Sequence, residues 1–479
     1  MTRNLKENKP FIKLFRTPRG FYLYSVNRNT VINISEEVYR YLDGKSDGDL
    51  SATALRELET LREENCLSSK RMNKICHPGL NSIGEIQNSR LNMICLQVTQ
   101  ACNLTCSYCP YANITNGKLQ RDHANRFMNY ETAKKAIDFY LEHSGDMERA
   151  GIGFYGGEPL LAFDLIKQVV EYANDRFLGK DLLFNLTTNG TLLTDEMIEF
   201  FADNKFSLMF SIDGPEKIHD VNRKRRDGNG SFQVAYGNLM KTYKKYFEKE
   251  IVDLLSVNAV LNPQNDIDEV LSFFYNDQFP KYLRVKMNLA DEVQLDKRLK
   301  NEHLFAEKYL YQSFLARLDH LLLVNGLHFP ESFENAVKNE EIANETLKKS
   351  QWSLPDVGSP GGPCIPGQKR LFVTVDGAFF PCERVSELCE DLKIGNVDVG
   401  FDLEKSVRAM NLATLTAEQC KNCWASQFCS LCAIRCEKDG KLCGEARLKE
   451  CAGQRSLAEV SIGSFILSLE CKTIYQRGK

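Results

Sequence analysis

Residues 93–109 read MICLQVTQACNLTCSYC, an apolar run followed at once by three closely spaced cysteines. Met93–Thr99 has the length and composition of a buried strand. Cys102, Cys106 and Cys109 then form a C-x3-C-x2-C pattern on the loop that leaves this strand. In open α/β sheets, ligands bind at the carboxyl ends of the strands. The stretch therefore predicts a strand that delivers three thiols to a ligand site.

Further apolar runs alternate with helical patterns after this loop. Glu131–His143 places its apolar residues on one helical face. Six strands that alternate with helices predict an α/β fold with a parallel sheet, open or curled into a partial barrel, over residues 90–290. The five later strand candidates are Gly151–Tyr155, Leu182–Thr187, Ser207–Ile212, Leu255–Leu261 and Leu283–Asn288.

The composition is that of a large globular protein with unusual use of cysteine. The chain has 479 residues and a formal net charge of −3, which gives no electrostatic basis for binding nucleic acid. No apolar run reaches the ~18–20 residues of a membrane helix. The N-terminus lacks an apolar signal segment, so we expect a cytoplasmic protein that does not bind membranes. An odd count of 17 cysteines in the reducing cytosol favours metal binding or catalysis over disulfides.

The chemistry of the cysteine loop favours an iron–sulfur cluster. Zinc fingers usually combine two C-x2-C pairs or add histidines, and this loop does neither. Three thiolates can hold three irons of a [4Fe–4S] cluster and leave the fourth iron open to a ligand. A structural zinc loop remains the alternative.

Three more motifs follow the next strands in order: YGGEPL at 155–160, TTNGT at 187–191 and SIDGP at 211–215. With the cysteine loop, they resemble the radical S-adenosylmethionine superfamily. The resemblance implies a partial (β/α)6 barrel and a catalytic cluster on Cys102, Cys106 and Cys109. This cluster would split S-adenosylmethionine into methionine and a 5′-deoxyadenosyl radical, which removes a hydrogen atom from the substrate. The cofactor-binding residues implied are Tyr108, Gly156, Gly157, Glu158, Pro159, Asn189 and Ser211.

Two charged features near these motifs, residues 222–226 and Asp213, are interpreted as structural and not as cofactor-binding. The basic run NRKRR at 222–226 is typical of a solvated loop face, although Arg223 could reach a carboxylate. Asp213 is interpreted as a brace within its loop.

The C-terminal region, residues 361–479, contains eleven of the cysteines and little regular secondary-structure signal, so its fold should depend on metal. The spacings C-x12-G-x4-C and C-x2-C-x5-C-x2-C resemble the SPASM extension, which holds two auxiliary [4Fe–4S] clusters. The usual second motif has three residues between its last two cysteines, and here there are two. Structural zinc sites remain the alternative, because paired C-x2-C units also bind zinc.

The SPASM resemblance implies a ligand set for each auxiliary cluster. The first would take Cys364, Cys382 and Cys432, and its fourth iron would be completed by Cys436 or Cys443 or left open to a substrate thiolate. Glu383 follows Cys382, at the place of an acid that is thought to accept the substrate proton in sulfatase-maturing enzymes; a loop salt bridge is the alternative. The second cluster would take Cys420, Cys423, Cys429 and Cys451.

The N-terminal region, residues 1–78, predicts a small winged-helix-like domain. Phe21–Ser35 reads as a hairpin, and helical patterns follow over Ser35–Leu42 and Ala52–Leu67. The pattern resembles the PqqD-like domain that recognises the leaders of ribosomally made peptides by adding them as an extra strand. Residues 291–360 are charge-rich and predict a helical bridging region.

Together the regions resemble a radical SAM/SPASM peptide maturase of the sactipeptide and ranthipeptide group. This implies three [4Fe–4S] clusters, a cysteine-rich precursor peptide bound through its leader, and an electron donor such as flavodoxin or ferredoxin. The implied reaction joins cysteine sulfur to a backbone or side-chain carbon within the peptide. Formation of a carbon–carbon link and sulfatase-type residue oxidation are alternatives, as is a zinc-stabilised peptide-binding protein without catalysis.

Overall fold

A computed structural model describes most of the chain. The described residues are 9–45, 49–109, 114–115, 118–119, 123–276, 278–280, 282–290, 302–320, 347, 352–361 and 364–477.

The N-terminal region forms a three-stranded antiparallel sheet covered by two helices. The hairpin prediction is confirmed, and Ser35 caps the first helix by accepting a hydrogen bond from the Val38 amide. The second helix ends at Glu63 rather than at Leu67, because Asn65 adopts a left-handed backbone with φ 58°. The elements are β1 (Ile12–Arg16), β2 (Phe21–Ser25), β3 (Thr30–Ile34), α1 (Glu36–Leu42) and α2 (Ala52–Glu63).

The six predicted strands of the central region are confirmed, each within two residues of its predicted ends. The strands of this part are β4 (Lys74–Ile75), β5 (Met93–Thr99), β6 (Ile114–Thr115), β7 (Lys118–Leu119), β8 (Arg149–Gly156), β9 (Asp181–Thr188), β10 (Ser207–Ser211), β11 (Leu255–Leu261) and β12 (Arg284–Leu289). The six predicted strands pair in parallel in the order β12-β11-β10-β9-β8-β5. The helices are α3 (Ile83–Ser89), α4 (Tyr130–Glu142), α5 (Phe163–Arg176), α6 (Asp195–Asp203), α7 (Glu216–Asn222), α8 (Phe232–Glu248), α9 (Ile267–Phe274) and α10 (Glu302–His320).

Apolar side chains of these strands and helices form one continuous core. Ile94 and Leu96 on one face of β5 and Cys95 and Gln97 on the other are all buried, as expected for a strand covered on both faces. Phe184 lies with its ring centroid 5.2 Å from that of Phe206. The core fixes the strands, so their carboxyl ends form a stable rim for the loops that follow.

The sheet does not end at β5. Leu371–Val373 pairs in parallel with β5, and three short antiparallel strands follow it, which gives an open sheet of ten strands. The C-terminal region therefore shares its sheet with the central region. Its elements are β13 (Val357–Gly358), β14 (Leu371–Val373), β15 (Ala378–Phe380), β16 (Gly395–Asn396), β17 (Gly400–Phe401), α11 (Leu403–Met410), α12 (Ala417–Lys421), β18 (Glu437–Lys438), β19 (Lys441–Leu442), α13 (Gly444–Lys449) and α14 (Cys451–Arg477). Of the predicted bridging region 291–360, most lies outside the described residues.

The N-terminal sheet packs against the C-terminal region. One face of β2 turns Leu23 toward α1 and α2, and the other turns Tyr24 toward the Phe428 ring, with centroids 5.7 Å apart. The Tyr22 hydroxyl donates to Glu470 of α14 at 2.7 Å. Within the described residues, no helix is both long and apolar enough to cross a bilayer.

Candidate functional site: a thiol-lined cavity at the carboxyl end of the sheet

The cysteine loop begins where β5 ends and is held by the chain around residue 224. The Thr105 amide donates to the Lys224 carbonyl at 2.8 Å, and the Ser107 amide donates to the Asn222 carbonyl at 3.0 Å. Arg226 Nε donates to the Cys102 carbonyl at 3.1 Å. The interpretation of 222–226 as a solvated loop face holds for the exposed Lys224 and Arg226 but is wrong for the buried Asn222 and Arg223, and the run binds the loop that presents the thiols.

Two glycines at the end of β8 allow the cysteine loop to come close. A Cβ on Gly156 would lie 1.9 Å from the Thr99 carbonyl oxygen, and one on Gly157 would lie 2.2 Å from that of Ala101. Gly156 also has a φ of +150°, in the region that favours glycine. The Gly157 amide donates to the Thr99 carbonyl at 3.1 Å, which ties the two strand ends together.

Glu158 is a buried carboxylate that organises the neighbouring strand end. Its Oε1 accepts a hydrogen bond from the Thr188 hydroxyl at 2.7 Å, and its Oε2 accepts one from the Asn189 amide at 2.8 Å. Burial raises the pKa of Glu158 to about 7. An ammonium group beside this carboxylate would favour its ionised form. Pro159 follows it at the start of a 3-10 turn, buried, and does not line the cavity described below.

Asn189 is braced by neighbouring polar side chains. Its Nδ2 donates to Asn103 Oδ1 at 2.9 Å, and its Oδ1 accepts from the Thr191 amide at 2.9 Å. Asn103 belongs to the cysteine loop, so this contact joins the loop to the end of β9. Ser211 ends β10 and lines the same cavity.

A buried ion pair supports the loop from the other side. Arg223 is only 7% exposed, and its Nε lies 3.0 Å from Oδ2 of the fully buried Asp213. The Tyr108 hydroxyl donates to the same carboxylate, and the guanidinium lies 5.3 Å from the Tyr108 ring centroid. Asp213 Oδ1 also accepts from the Val260 amide at 3.0 Å, so the brace predicted at Asp213 is confirmed.

These groups enclose one cavity of about 220 Å³. It brings together the three loop cysteines, Tyr108, Gly156, Gly157, Glu158, Asn189 and Ser211, as predicted. Sequence reasoning missed His123 and Asn258, which also line it, and gave Arg223 only as an alternative that could reach a carboxylate. His123 lies with Nε2 3.5 Å from the Cys109 sulfur, and the scarcity of histidine in the chain is the one signal that could have marked it.

Two of the loop thiols, Cys102 and Cys106, are buried enough to resist ionisation in the absence of a metal. Burial raises the pKa of Cys102 to about 12 and that of Cys106 to about 11, the latter opposed by the positive charge of Arg223. Metal coordination replaces the thiol proton, and the positive charge of a bound metal would offset the cost of ionising these buried thiols. The donor set therefore fits an iron–sulfur cluster with an adjoining polar cavity.

The structure gathers most C-terminal cysteines into neighbouring sets. Burial raises the pKa of Cys423 and of Cys451, and thiolates at Cys420 and Cys429 would raise both further, so these four lie near one another. Cys432 has the same effect on Cys382 and Cys436, whereas Cys364 is exposed.

The donors of the described residues do not form a single-ion site. No three His, Cys, Asp or Glu side chains in the described ranges are placed to share one metal ion. A cubane cluster separates its thiolates more widely, because the cluster lies between them.

Glu383 forms an ion pair with Arg370 and is largely buried. It does not line the 220 Å³ cavity that contains the loop cysteines. The loop salt bridge weighed for this residue is present, and an acid–base role stays a prediction.

Residues 96–274 match the Radical SAM superfamily. The chain carries a radical SAM domain. An uncharacterized protein of Methanocaldococcus jannaschii is 32% identical over 211 residues, which cover 44% of this chain and 64% of the relative, less than two thirds of its length. The cysteine-type anaerobic sulfatase-maturating enzyme of Clostridium perfringens (strain ATCC 13124) is 24% identical over 364 residues, 73% of this chain and 90% of the enzyme.

A solved structure, that of anSMEcpe with bound AdoMet, resembles the fold with a TM-score of 0.53 at 20% identity. The superposition covers 78% of this chain and 98% of the other. At 20% identity, the similarity supports a shared fold, and it extends beyond the residues that match the radical SAM domain.

Proposed function

We propose that the chain is a radical SAM peptide maturase that installs thioether links in a cysteine-containing precursor peptide. The observation that carries the proposal is the single cavity in which three loop thiols meet Glu158, Asn189 and the ends of β8 to β10. The similarity to a sulfatase-maturating enzyme supports action on a polypeptide substrate.

The residues of the cavity fit the proposed cofactors. Cys102, Cys106 and Cys109 would hold the catalytic cluster. Glu158 and the backbone of the glycine pair would hold the amino group of S-adenosylmethionine, and Asn189 and Ser211 would contact the rest of it. When bound, these groups supply a 5′-deoxyadenosyl radical that removes a hydrogen atom from carbon.

The chain's own residues position and shield this chemistry. The close approach at Gly156 and Gly157 sets the loop against the end of β8, and the Asp213–Arg223 pair fixes its far side. Buried side chains around the cavity exclude water, which protects a reactive species from side reactions.

The C-terminal cysteines would hold two auxiliary [4Fe–4S] clusters. Three ligands for the first leave one iron for Cys436, Cys443 or a substrate thiolate. Forming one thioether removes one hydrogen from sulfur and one from carbon, and the auxiliary clusters would carry away the remaining electron toward an acceptor. A flavodoxin or ferredoxin would supply electrons to the catalytic cluster.

The N-terminal sheet would hold the leader of the precursor. β1 and β3 each pair only with β2 in the described residues, so each offers an edge to an added strand. The packing of β2 on α14 would then hold the leader beside the proposed auxiliary clusters.

The test is anaerobic co-production of the chain with the short cysteine-containing reading frame nearest its gene, followed by mass spectrometry. Loss of two hydrogens per link, with the linked cysteines protected from alkylation, is the expected result. The chain with Cys102, Cys106 and Cys109 changed to Ala is the matched control and should leave the peptide unmodified.

The other outcomes separate the alternatives. Loss of two hydrogens with every thiol still alkylated would replace the proposal by carbon–carbon linking or residue oxidation. The sulfatase-type reaction is the second candidate, favoured by the named relative, and would oxidise one residue without forming a link. Zinc without iron in the purified chain, together with no cleavage of S-adenosylmethionine, would indicate a zinc-stabilised peptide-binding protein.

A further inference from the structure

Arg447 of α13 is a buried cation that the proposed function does not use. Its side chain is 1% exposed, the largest of the fully buried side chains. Nε donates to the Thr416 hydroxyl at 3.1 Å, and Nη1 donates to the Leu431 carbonyl at 3.5 Å and to the Cys436 sulfur at 3.8 Å. Its acceptors are thus a hydroxyl, a carbonyl and a thiol.

No carboxylate pairs with this guanidinium within the described ranges, whereas the buried Arg223 of the cavity is paired with Asp213. Burial of an ion without a counter-charge is costly, and buried arginines are therefore paired. The groups around Arg447 that can become negative are thiols, namely those of Cys436, Cys420 and Cys429.

Thr416 connects the cation to one of these thiols. Its hydroxyl accepts from Arg447 Nε and lies 3.3 Å from the Cys420 sulfur. The Cys451 thiol lies 3.7 Å from the Arg447 carbonyl oxygen. The backbone of Arg447 therefore contacts the cysteine set proposed for the second auxiliary cluster, and its side chain reaches that set through Thr416.

We propose that Arg447 is a positioning residue whose positive charge compensates the thiolate-bound auxiliary cluster at Cys420, Cys423, Cys429 and Cys451. This inference rests on the auxiliary clusters of the proposed function. A cluster with four thiolates is anionic and becomes more so when it accepts an electron, so a buried cation beside it favours the reduced form. Arg447 therefore raises the reduction potential of this cluster.

A merely structural arginine would behave differently. If the guanidinium served only to join Thr416 to the Leu431 carbonyl, its loss would weaken the fold equally with and without iron. Charge compensation instead predicts that Arg447 lowers the stability of the metal-free chain and raises the stability of the chain with the cluster bound.

The test uses the full chain with Cys102, Cys106 and Cys109 changed to Ala, so that bound iron belongs to the auxiliary sites. After anaerobic reconstitution, the clusters are titrated with dithionite, which supplies one electron to each, and followed by electron paramagnetic resonance. Arg447→Gln should shift one midpoint to a more negative potential, and Arg447→Lys should shift it less. Lys449→Gln removes an exposed cation from the same helix and should leave both midpoints unchanged.

A second measurement covers the case in which Arg447→Gln loses its iron. In Arg447→Met, the melting temperature of the metal-free chain should be equal to or higher than that of the chain with Arg447 intact. The rise in melting temperature on reconstitution with iron should be smaller in the variant. Equal losses in both states would overturn the proposal, and so would a fully iron-loaded Arg447→Gln with wild-type midpoints. If the three-alanine chain with Arg447 intact binds zinc or no metal, the auxiliary clusters of the proposed function fail, and this inference fails with them.

Discussion

Gly157→Ala tests whether the close approach of β8 to the cysteine loop sets the catalytic geometry. The new Cβ would lie 2.2 Å from the Ala101 carbonyl oxygen and 2.7 Å from that of Gln100. Real Cβ contacts are not found below 3.0 Å, and both neighbours are backbone atoms, so the chain before Cys102 must move by about 0.8 Å.

A movement of this size has a calculable consequence. Misplacement of reacting groups by about 1 Å lowers rates by up to about 100-fold. Overpacking of a well-packed site costs about 1–3 kcal/mol of unfolding free energy. We expect Gly157→Ala to reduce cleavage of S-adenosylmethionine by roughly 10- to 100-fold while most of the protein still folds.

The assay is formation of 5′-deoxyadenosine by the reconstituted, dithionite-reduced chain, with iron content and urea unfolding measured on the same preparations. Gly237→Ala is the matched control, because Gly237 lies in α8 with no atom within 4 Å of its added Cβ. That variant should keep wild-type activity. A Gly157→Ala chain with wild-type cleavage would refute the idea that this contact positions the thiols.

Three further predictions concern buried or paired charges. Arg223→Met leaves Asp213 buried without its cation and should lower the free energy of unfolding in urea by about 3–5 kcal/mol; a loss below about 1 kcal/mol would contradict the pairing described here. Burial lowers the pKa of His219 from its ordinary 6.5 to about 4, so the unfolded chain takes up this proton first and stability falls as the pH drops from 6.5 toward 4. His219→Gln should therefore remove about 2 kcal/mol of the stability lost between pH 7 and pH 5 in urea titrations, and an unchanged slope would count against a neutral buried histidine. Glu383→Gln should leave peptide-free cleavage of S-adenosylmethionine at the wild-type rate, since Glu383 pairs with Arg370 outside the cavity; a large loss would place the carboxylate in the cofactor site.

The sequence predicted the six parallel strands because strands covered on both faces appear as continuous apolar runs between helical patterns. It did not predict that β14 joins them beside β5. β14 is three residues long, and strands that short carry no periodicity to read. Their pairing depends on residues far away in the chain.

The site was predictable where a motif is contiguous, as with Cys102, Cys106 and Cys109. Arg223 was only an alternative to a solvated loop face because its neighbours in the basic run look alike in sequence, and only the fold decides which of them is buried. Asp213 attracts Arg223 into the interior, across ten positions of chain. Local composition cannot reveal a partner chosen by tertiary structure.

The pairing of β5 with β14 limits the recombination events that such a chain can undergo without loss of its fold. A crossover between the radical SAM domain and the cysteine-rich region would separate two paired strands in which Leu96 lies opposite Val373. Each fragment would then expose a strand edge, which invites association with other chains. We therefore expect the two regions to be inherited together, and relatives that lack the second region to cover the edge of the equivalent strand by other means.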